Sequence, residues 1–288
     1  MRLSLAGGLC MAALLSAALG LAAPSRAQGL AWLGGDTVQV ATHRMGLMPV
    51  LGPGKDPLLG YLAQPDMPGR HPAVVVLHGC GGFGPANVMA ADVLKSYGYV
   101  ALAIDSLGEL NACAPGSLGS VAEAFDAYAA LDWLARQNFV DPDRVALLGF
   151  SMGGIAALND VEAGVGAIEK AEKRHFRAAI AYYPCTRYRA GVMTVPTLIL
   201  VGDNDDWTPA SYCRDMMARR NGNGAPVTLI VYPGATHAFN VPRPSRQYFG
   251  HHLAYDPQAT ADAWRRVRNF LQTTLGGTQP SGSAAESH

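Results

Sequence analysis

Residues 145–154 read VALLGFSMGG, and IAALND follows. A run of leucine and β-branched residues ends at Gly149, Ser151 stands at the turn, and Gly153 and Gly154 open a helix-like stretch. The pattern is strand, sharp turn, helix, with a serine at the apex and a glycine two residues to either side. A serine hydroxyl is a weak nucleophile unless it is held exposed, near a base and beside amide donors. A tight turn holds it that way, and it leaves no room for side chains at 149 and 153. In a chain with 33 glycines the bare G-x-S-x-G spacing is a weak signal, and the flanking strand and helix give it weight. The bland alternative is a glycine-rich turn with a bystander serine.

A parallel sheet that carries such a serine supplies its acid and then its base from later strand ends, in that chain order. Residues 196–201 (PTLILV) read as a buried strand, and GDNDDWTP follows, with Asp203, Asp205 and Asp206 on one loop. Residues 227–232 (VTLIVY) read as the next strand, and PGATHAF places His237 on the loop after it. His237 is the candidate base: it takes the Ser151 proton and returns it to the leaving group. Asp205 is the preferred acid, since it lies past the strand end and Pro209 then opens a helix. Asp203 is the rival, and at least one of these aspartates should serve the loop turn or cap the helix.

Two amide donors are needed for the developing oxyanion. Residues 73–84 (AVVVLHGCGGFG) are a strand running into a glycine-rich loop. The backbone N–H of Cys80 on that loop and that of Met152, the residue after the nucleophile, are the candidates. His78 is expected to pack against the loop.

Strands are expected near 37–45, 58–63, 73–78, 99–104, 145–150, 178–183, 197–202 and 227–232, and helices near 86–97, 118–137, 152–171, 209–220 and 257–274. Strands alternating with helices imply a mostly parallel, about eight-stranded sheet covered on both faces, the α/β-hydrolase arrangement. The first two strands have no helix between them and should pair antiparallel. Helix 118–137 carries an apolar stripe at Val121, Ala124, Phe125, Tyr128, Leu131 and Leu134 that reads as core packing. Residues 138–144 (NFVDPDR) read as a turn. The irregular stretches 105–117 and 240–256 are expected to rim the pocket.

The first 27 residues combine Arg2, an apolar uncharged stretch and Ser25-Arg26-Ala27, which reads as a signal peptide cut after Ala27. Residues 28–275 then form one domain and 276–288 a disordered tail. Such a mature chain is exported, periplasmic or secreted, with no segment apolar enough for stable membrane insertion. Without Arg2 and Arg26, 20 basic residues face 22 acidic ones. That balance, with no basic run, excludes a nucleic-acid partner. Cys80, Cys113, Cys185 and Cys213 remain, an even number that in an exported protein implies disulfides. Cys80–Cys113 and Cys185–Cys213 is the favoured pairing, because each joins loops at the C-terminal edge of the sheet. The spacings are not those of a zinc site, and no cofactor is implied.

VVLHGCGGFG, GFSMGG, GDNDDWTP, GATHAF and the closing YDPQATADAWRRVRNFL together resemble the dienelactone hydrolase family over about 70–275. The resemblance implies Ser151, Asp205 and His237 as the triad, with Cys80 and Met152 as amide donors. Three positions depart from the founding enzymes. Their nucleophile is a cysteine where Ser151 stands. They carry a glutamate at the position of Gly79, and a carboxylate-binding arginine at that of Val241. The substrate implied is a small ester or lactone rather than dienelactone itself. Arg187 and Arg189 are candidates to hold an anionic group, and Phe83, Trp207, Tyr182 and Tyr188 to line the pocket. Other acyl chemistry on the same triad, or a non-catalytic envelope binding protein, are the competing readings.

Overall fold

The computed structural model describes residues 36–40, 58–106, 113, 117–165 and 174–276. In chain order these form β1 (Asp36–Val40), β2 (Leu58–Ala63), β3 (His71–Leu77), α1 (Pro85–Ser96), β4 (Val100–Asp105), α2 (Gly119–Ala135), β5 (Val140–Phe150) and α3 (Met152–Val161). After them come β6 (Ala178–Tyr182), β7 (Thr197–Gly202), α4 (Ala210–Arg220), β8 (Val227–Tyr232), β9 (Arg246–Tyr248), β10 (His251–Leu253) and α5 (Pro257–Leu275). Eight strands make one sheet in the order β1-β2-β4-β3-β5-β6-β7-β8. β1 pairs antiparallel with β2, and β2 antiparallel with β4. The pairings from β4 through β3 and β5 to β8 are all parallel. The expected α/β-hydrolase sheet is therefore the observed one.

Central strands are apolar at every position because helices cover both faces. Alternation sorts their side chains. Val74 and Val76 of β3, Ala101 and Ala103 of β4, and Ala146 and Leu148 of β5 join the layer under α1 and α5. Ala73, Val75 and Leu77, with Val100, Leu102, Val145 and Leu147, join the layer under α2. α5 presents Ala259, Ala263, Val267 and Leu271 at four-residue spacing, one face of a helix. Its start is set by Asp256, whose side chain accepts from the N–H groups of Gln258 and Ala259, with Pro257 in the first turn.

Several element boundaries differ from the sequence reading. β5 starts at Val140, which pairs with His71 across a register shift; the stretch read as a turn is the irregular opening of that strand. The expected helix 152–171 ends at Val161. Glu162 takes extended backbone, Gly164 has φ +81°, and 166–173 lie outside the described residues, as do 41–45 of the first strand. At the stop the backbone of Glu162 bridges Met193 and the Ala163 N–H donates to the Val192 carbonyl, and a buried ion pair forms beside them. The Glu162 carboxylate accepts from Arg189 and from the Gly191 N–H, and Arg189 also donates to Asn159 at 2.8 Å. Burial pulls the Arg189 guanidinium below its ordinary range, and Glu162 opposes that pull. The hairpin β9–β10 was not expected: its strands have three residues each and little apolar alternation.

Removing one partner of this pair strands a buried charge. Arg189→Met should lower stability by about 3–5 kcal/mol, and adding Glu162→Gln should recover much of it. Urea unfolding of the two variants measures both.

Candidate active site

Ser151, the candidate nucleophile, stands where β5 passes into α3. Ser151 has φ 54° and ψ −113°, a region non-glycine residues avoid. A Cβ on Gly149 would fall 2.0 Å from the carbonyl oxygen of Gly153, and one on Gly153 would fall 2.5 Å from that of His78. Both atoms are backbone, so no side-chain rotation makes room. Met152 opens the helix, so its N–H has no acceptor within it. The Gly153 N–H is used, donating to the His78 carbonyl at 3.0 Å.

His237 Nε2 lies 2.9 Å from Ser151 Oγ, and His237 Nδ1 lies 2.8 Å from Asp205 Oδ2. Asp205 and His237 are both buried. Asp205 Oδ1 accepts from the N–H groups of Trp207 (3.0 Å) and Thr208 (2.7 Å). Asp203 instead accepts from the Gly234 N–H at 2.6 Å, a turn contact, and Asp206 accepts from the His252 N–H. Of the three aspartates on the loop, the structure brings Asp205 to the imidazole.

Sequence reasoning missed residues that hold this chain of groups. Thr208 Oγ1 reaches both the Tyr183 carbonyl (2.9 Å) and Asp205 Oδ2 (3.0 Å). The Tyr183 ring packs 4.6 Å from the imidazole of His237, and Trp207 lies 5.0 Å from it on centroids. Tyr183 donates its hydroxyl to Asn240 Oδ1 at 2.6 Å. Burial and the Asp205 carboxylate hold that phenol well above its ordinary range, so it stays a donor. Tyr183 was legible only as one more aromatic at a strand end; its neighbour Tyr182, named as a pocket candidate, is fully buried in the core.

The site opens into a cavity of about 350 Å³ lined by Cys80, Phe83, Ser151, Trp207, His237 and Tyr248 among others. Residues of 240–255 form much of its wall, as expected of that stretch. Of 105–117, only 105, 106, 113 and 117 are described. Phe83 and Trp207 reach the cavity, and Arg187, Arg189 and Tyr188 do not. The physical reason is Cys185–Cys213, which ties the segment after β6 to α4. Arg187 then lies over Tyr212 of α4, Arg189 turns inward to Glu162, and Tyr188 stands 87 % exposed. Cys80 is bonded to Cys113, which fixes the glycine-rich loop from outside.

Below that loop lies a polar cluster that the stripe on α2 concealed. Glu123, Asp126, Asp160, Ser106 and His78 are all buried. The Ser106 N–H donates to His78 Nε2 at 3.2 Å, so the imidazole proton sits on Nδ1, which faces the Gly79 carbonyl at 2.8 Å. Ser106 Oγ donates to Asp126. Glu123 is 3.5 Å from His78 Nδ1, yet desolvation, with Asp126 and Asp160 nearby, pushes its carboxyl well above 4.5.

Chemically, the arrangement can move a proton from Ser151 Oγ to His237 Nε2 while Asp205 steadies the imidazolium. Comparison with known proteins places the chain in a family of hydrolases. Residues 58–275 match the model of the dienelactone hydrolase family. A protein of Bradyrhizobium sp named as a probable 2-oxo-3-(5-oxofuran-2-ylidene)propanoate lactonase is 28% identical over 250 residues, 79% of this chain and 94% of the relative. Among solved structures, a dienelactone hydrolase-like promiscuous phosphotriesterase from metagenomic libraries aligns with a TM-score of 0.65 at 22% identity, covering 83% of this chain and 98% of that one. A thermophilic esterase of the planctomycete Thermogutta terrifontis aligns at 0.59 and 22% identity, over 79% and 91% of the two chains. At such identities these two report the fold.

Two outcomes follow from the geometry. Asp205→Asn should lower kcat by about 10²–10⁴-fold through the wrong imidazole tautomer, whereas Asp203→Asn should leave kcat within about twofold; steady-state kinetics on an activated ester decides. Glu123 keeps its proton to higher pH in the folded chain than in the unfolded one. The folded chain therefore holds the extra proton above about pH 4.5, and stability falls as pH rises from there. Glu123→Gln removes that slope, so its stability gain over wild type should grow from pH 5 to pH 8 in urea unfolding. A gain independent of pH would mean that Glu123 is charged in the fold.

Proposed function

The chain belongs to the dienelactone hydrolase family, a family of hydrolases, and on that premise we propose that it is an exported serine hydrolase of carboxylic esters and lactones. The observation that carries the proposal is the unbroken line from Ser151 Oγ through His237 to Asp205, with steps of 2.9 and 2.8 Å. Ser151 Oγ attacks the substrate carbonyl carbon as its proton passes to His237 Nε2. The carbonyl oxygen becomes an oxyanion held by the N–H groups of Cys80 and Met152. Collapse of this intermediate breaks the bond to the alcohol oxygen, which takes the proton from His237. In an ester the alcohol departs; in a lactone it stays tethered to the acyl group. Water, losing a proton to His237, then attacks the acyl-serine, and the carboxylic acid leaves Ser151 as His237 returns the proton to its oxygen.

The printed name of the Bradyrhizobium relative, a lactonase, supports lactones among the substrates. Export is supported by the leader-like residues 1–27 and by the two disulfides, which persist in oxidising compartments. No helix among the described residues is long and apolar enough to cross a membrane. A secreted enzyme also gains from serine, since a thiolate nucleophile would be open to oxidation.

The test is hydrolysis of p-nitrophenyl acetate through longer acyl esters, and of simple lactones, by the mature chain and by Ser151→Ala. Wild type should turn over, the variant should lose at least about 10³-fold in kcat, and a fluorophosphonate should label wild type alone. No turnover and no labelling of wild type would overturn the reading.

A further inference from the structure

The hairpin β9–β10 carries a contradiction in its turn. Tyr248 pairs with His251, so the connection is the two residues Phe249 and Gly250, with φ 51° and 82°. Positive φ at both positions is the mark of a type I′ turn, where Asn-Gly is the preferred pair. Phenylalanine is doubly unfavourable there: its backbone is strained, and its ring is 57 % exposed. Turn preference alone gives no reason for it.

The surroundings give one. Phe249 meets Tyr248 edge-on at 4.8 Å and lies 6.2 Å from Trp207. Trp207 stacks on His251 at 4.6 Å and 12°, and it also meets the imidazole of His237 at 5.0 Å and the Tyr248 ring at 6.0 Å. A line of rings thus runs from the base to the exposed tip of the hairpin. Tyr248 and Trp207 line the cavity directly, and the Tyr248 hydroxyl reaches across to the loop at Gly81. The Arg246 guanidinium lies over the Tyr248 ring at 4.8 Å and keeps that ring oriented. Planar π faces at the mouth of an active site bind flat rings through stacking and edge contacts.

We propose that Trp207, Tyr248 and Phe249 form a subsite for an aryl group of the substrate, carried on the side of the ester that projects out of the cavity. The proposal deepens the ester-hydrolase reading and rests on it for turnover, but the binding itself does not require catalysis. Benzyl butyrate and cyclohexylmethyl butyrate are matched in size, and the saturated ring is the more hydrophobic. A simple greasy wall would favour the cyclohexyl ester; stacking favours the benzyl one.

The experiment compares kcat/KM for the two esters in wild type and in Phe249→Asn. Wild type should prefer the benzyl ester by about 2- to 12-fold. Phe249→Asn restores the favoured Asn-Gly turn, so its Tm should be equal to or above that of wild type while the preference falls toward one. A preference that survives the substitution, or a Tm lowered by several degrees, overturns the proposal. Binding of the same two esters to Ser151→Ala, followed by Trp fluorescence, separates the two readings. If wild type hydrolyses neither ester, turns over none of the p-nitrophenyl esters or lactones and takes no fluorophosphonate label, but Ser151→Ala binds the benzyl ester more tightly by the same factor, the hydrolase reading fails and the subsite stands. Equal dissociation constants overturn the subsite.

Discussion

The hydrogen bond from the Gly153 N–H to the His78 carbonyl, at 3.0 Å, is the contact on which the site depends. It joins the two pieces that the proposed mechanism must hold in register: the helix that follows Ser151 and the glycine-rich loop of Cys80. The contact exists because residue 153 has no Cβ; a methyl group there would sit 2.5 Å from the very oxygen that accepts the bond. The same approach sets Met152 against the loop of Cys80. Met152 and Cys80 pack together there, and in the proposed mechanism it is their N–H groups that would receive the oxyanion.

The rest of the local structure resists loosening of that contact. From below, His78 uses both ring nitrogens within the fold, one toward the Gly79 carbonyl and one toward the Ser106 N–H. From outside, Cys80–Cys113 anchors a loop in which Gly79, Gly81, Gly82 and Gly84 would otherwise be entropically loose. On the far side, Thr208 links the Asp205 carboxylate to the Tyr183 carbonyl. Ser151, Tyr183 and Ala238 all have positive φ and all meet around His237. Strain of this kind, about 1–3 kcal/mol per residue, persists only where surrounding packing over-determines the backbone. Here that packing is the set of parallel strands, buried on both faces.

Much of this was legible in the sequence because it is carried by backbone rules. Buried strands announce themselves as apolar runs, and Ser151 and His237 sit at strand ends in the chain order the sheet imposes. Helices and edges were less legible where a single tertiary contact decides. Little that is local says that the helix from Met152 must stop at Val161; there the chain pairs with Val192–Thr194, about 30 residues on, and Glu162 meets Arg189. Nothing local says that Arg187 and Arg189 turn away from the cavity; Cys185–Cys213 turns them. The carboxyls of α2 were hidden by a stripe that looks wholly apolar when only its hydrophobic positions are counted. Thr208 and Tyr183 were hidden for another reason: their roles are relations to His237 and Asp205 in space, and their residue types carry no signal of their own.

On the proposed mechanism, the departure at Gly79 has a consequence for charge. The founding enzymes of the family carry a glutamate there beside a cysteine nucleophile. In this chain a Cβ at position 79 would stand 3.5 Å from the Cβ of Ser151, so a carboxylate there would overhang the reacting centre. A neutral serine gains nothing from a negative neighbour, and the oxyanion formed on attack would face a like charge only a few ångströms away. At 4 Å and an effective dielectric of 20, two such charges repel by about 4 kcal/mol, comparable to what one oxyanion donor contributes. Glycine at 79 removes that repulsion, and with it the side chain that would crowd the approach to Ser151. In the proposed serine mechanism, glycine at 79 thus leaves the oxyanion without a like charge beside it.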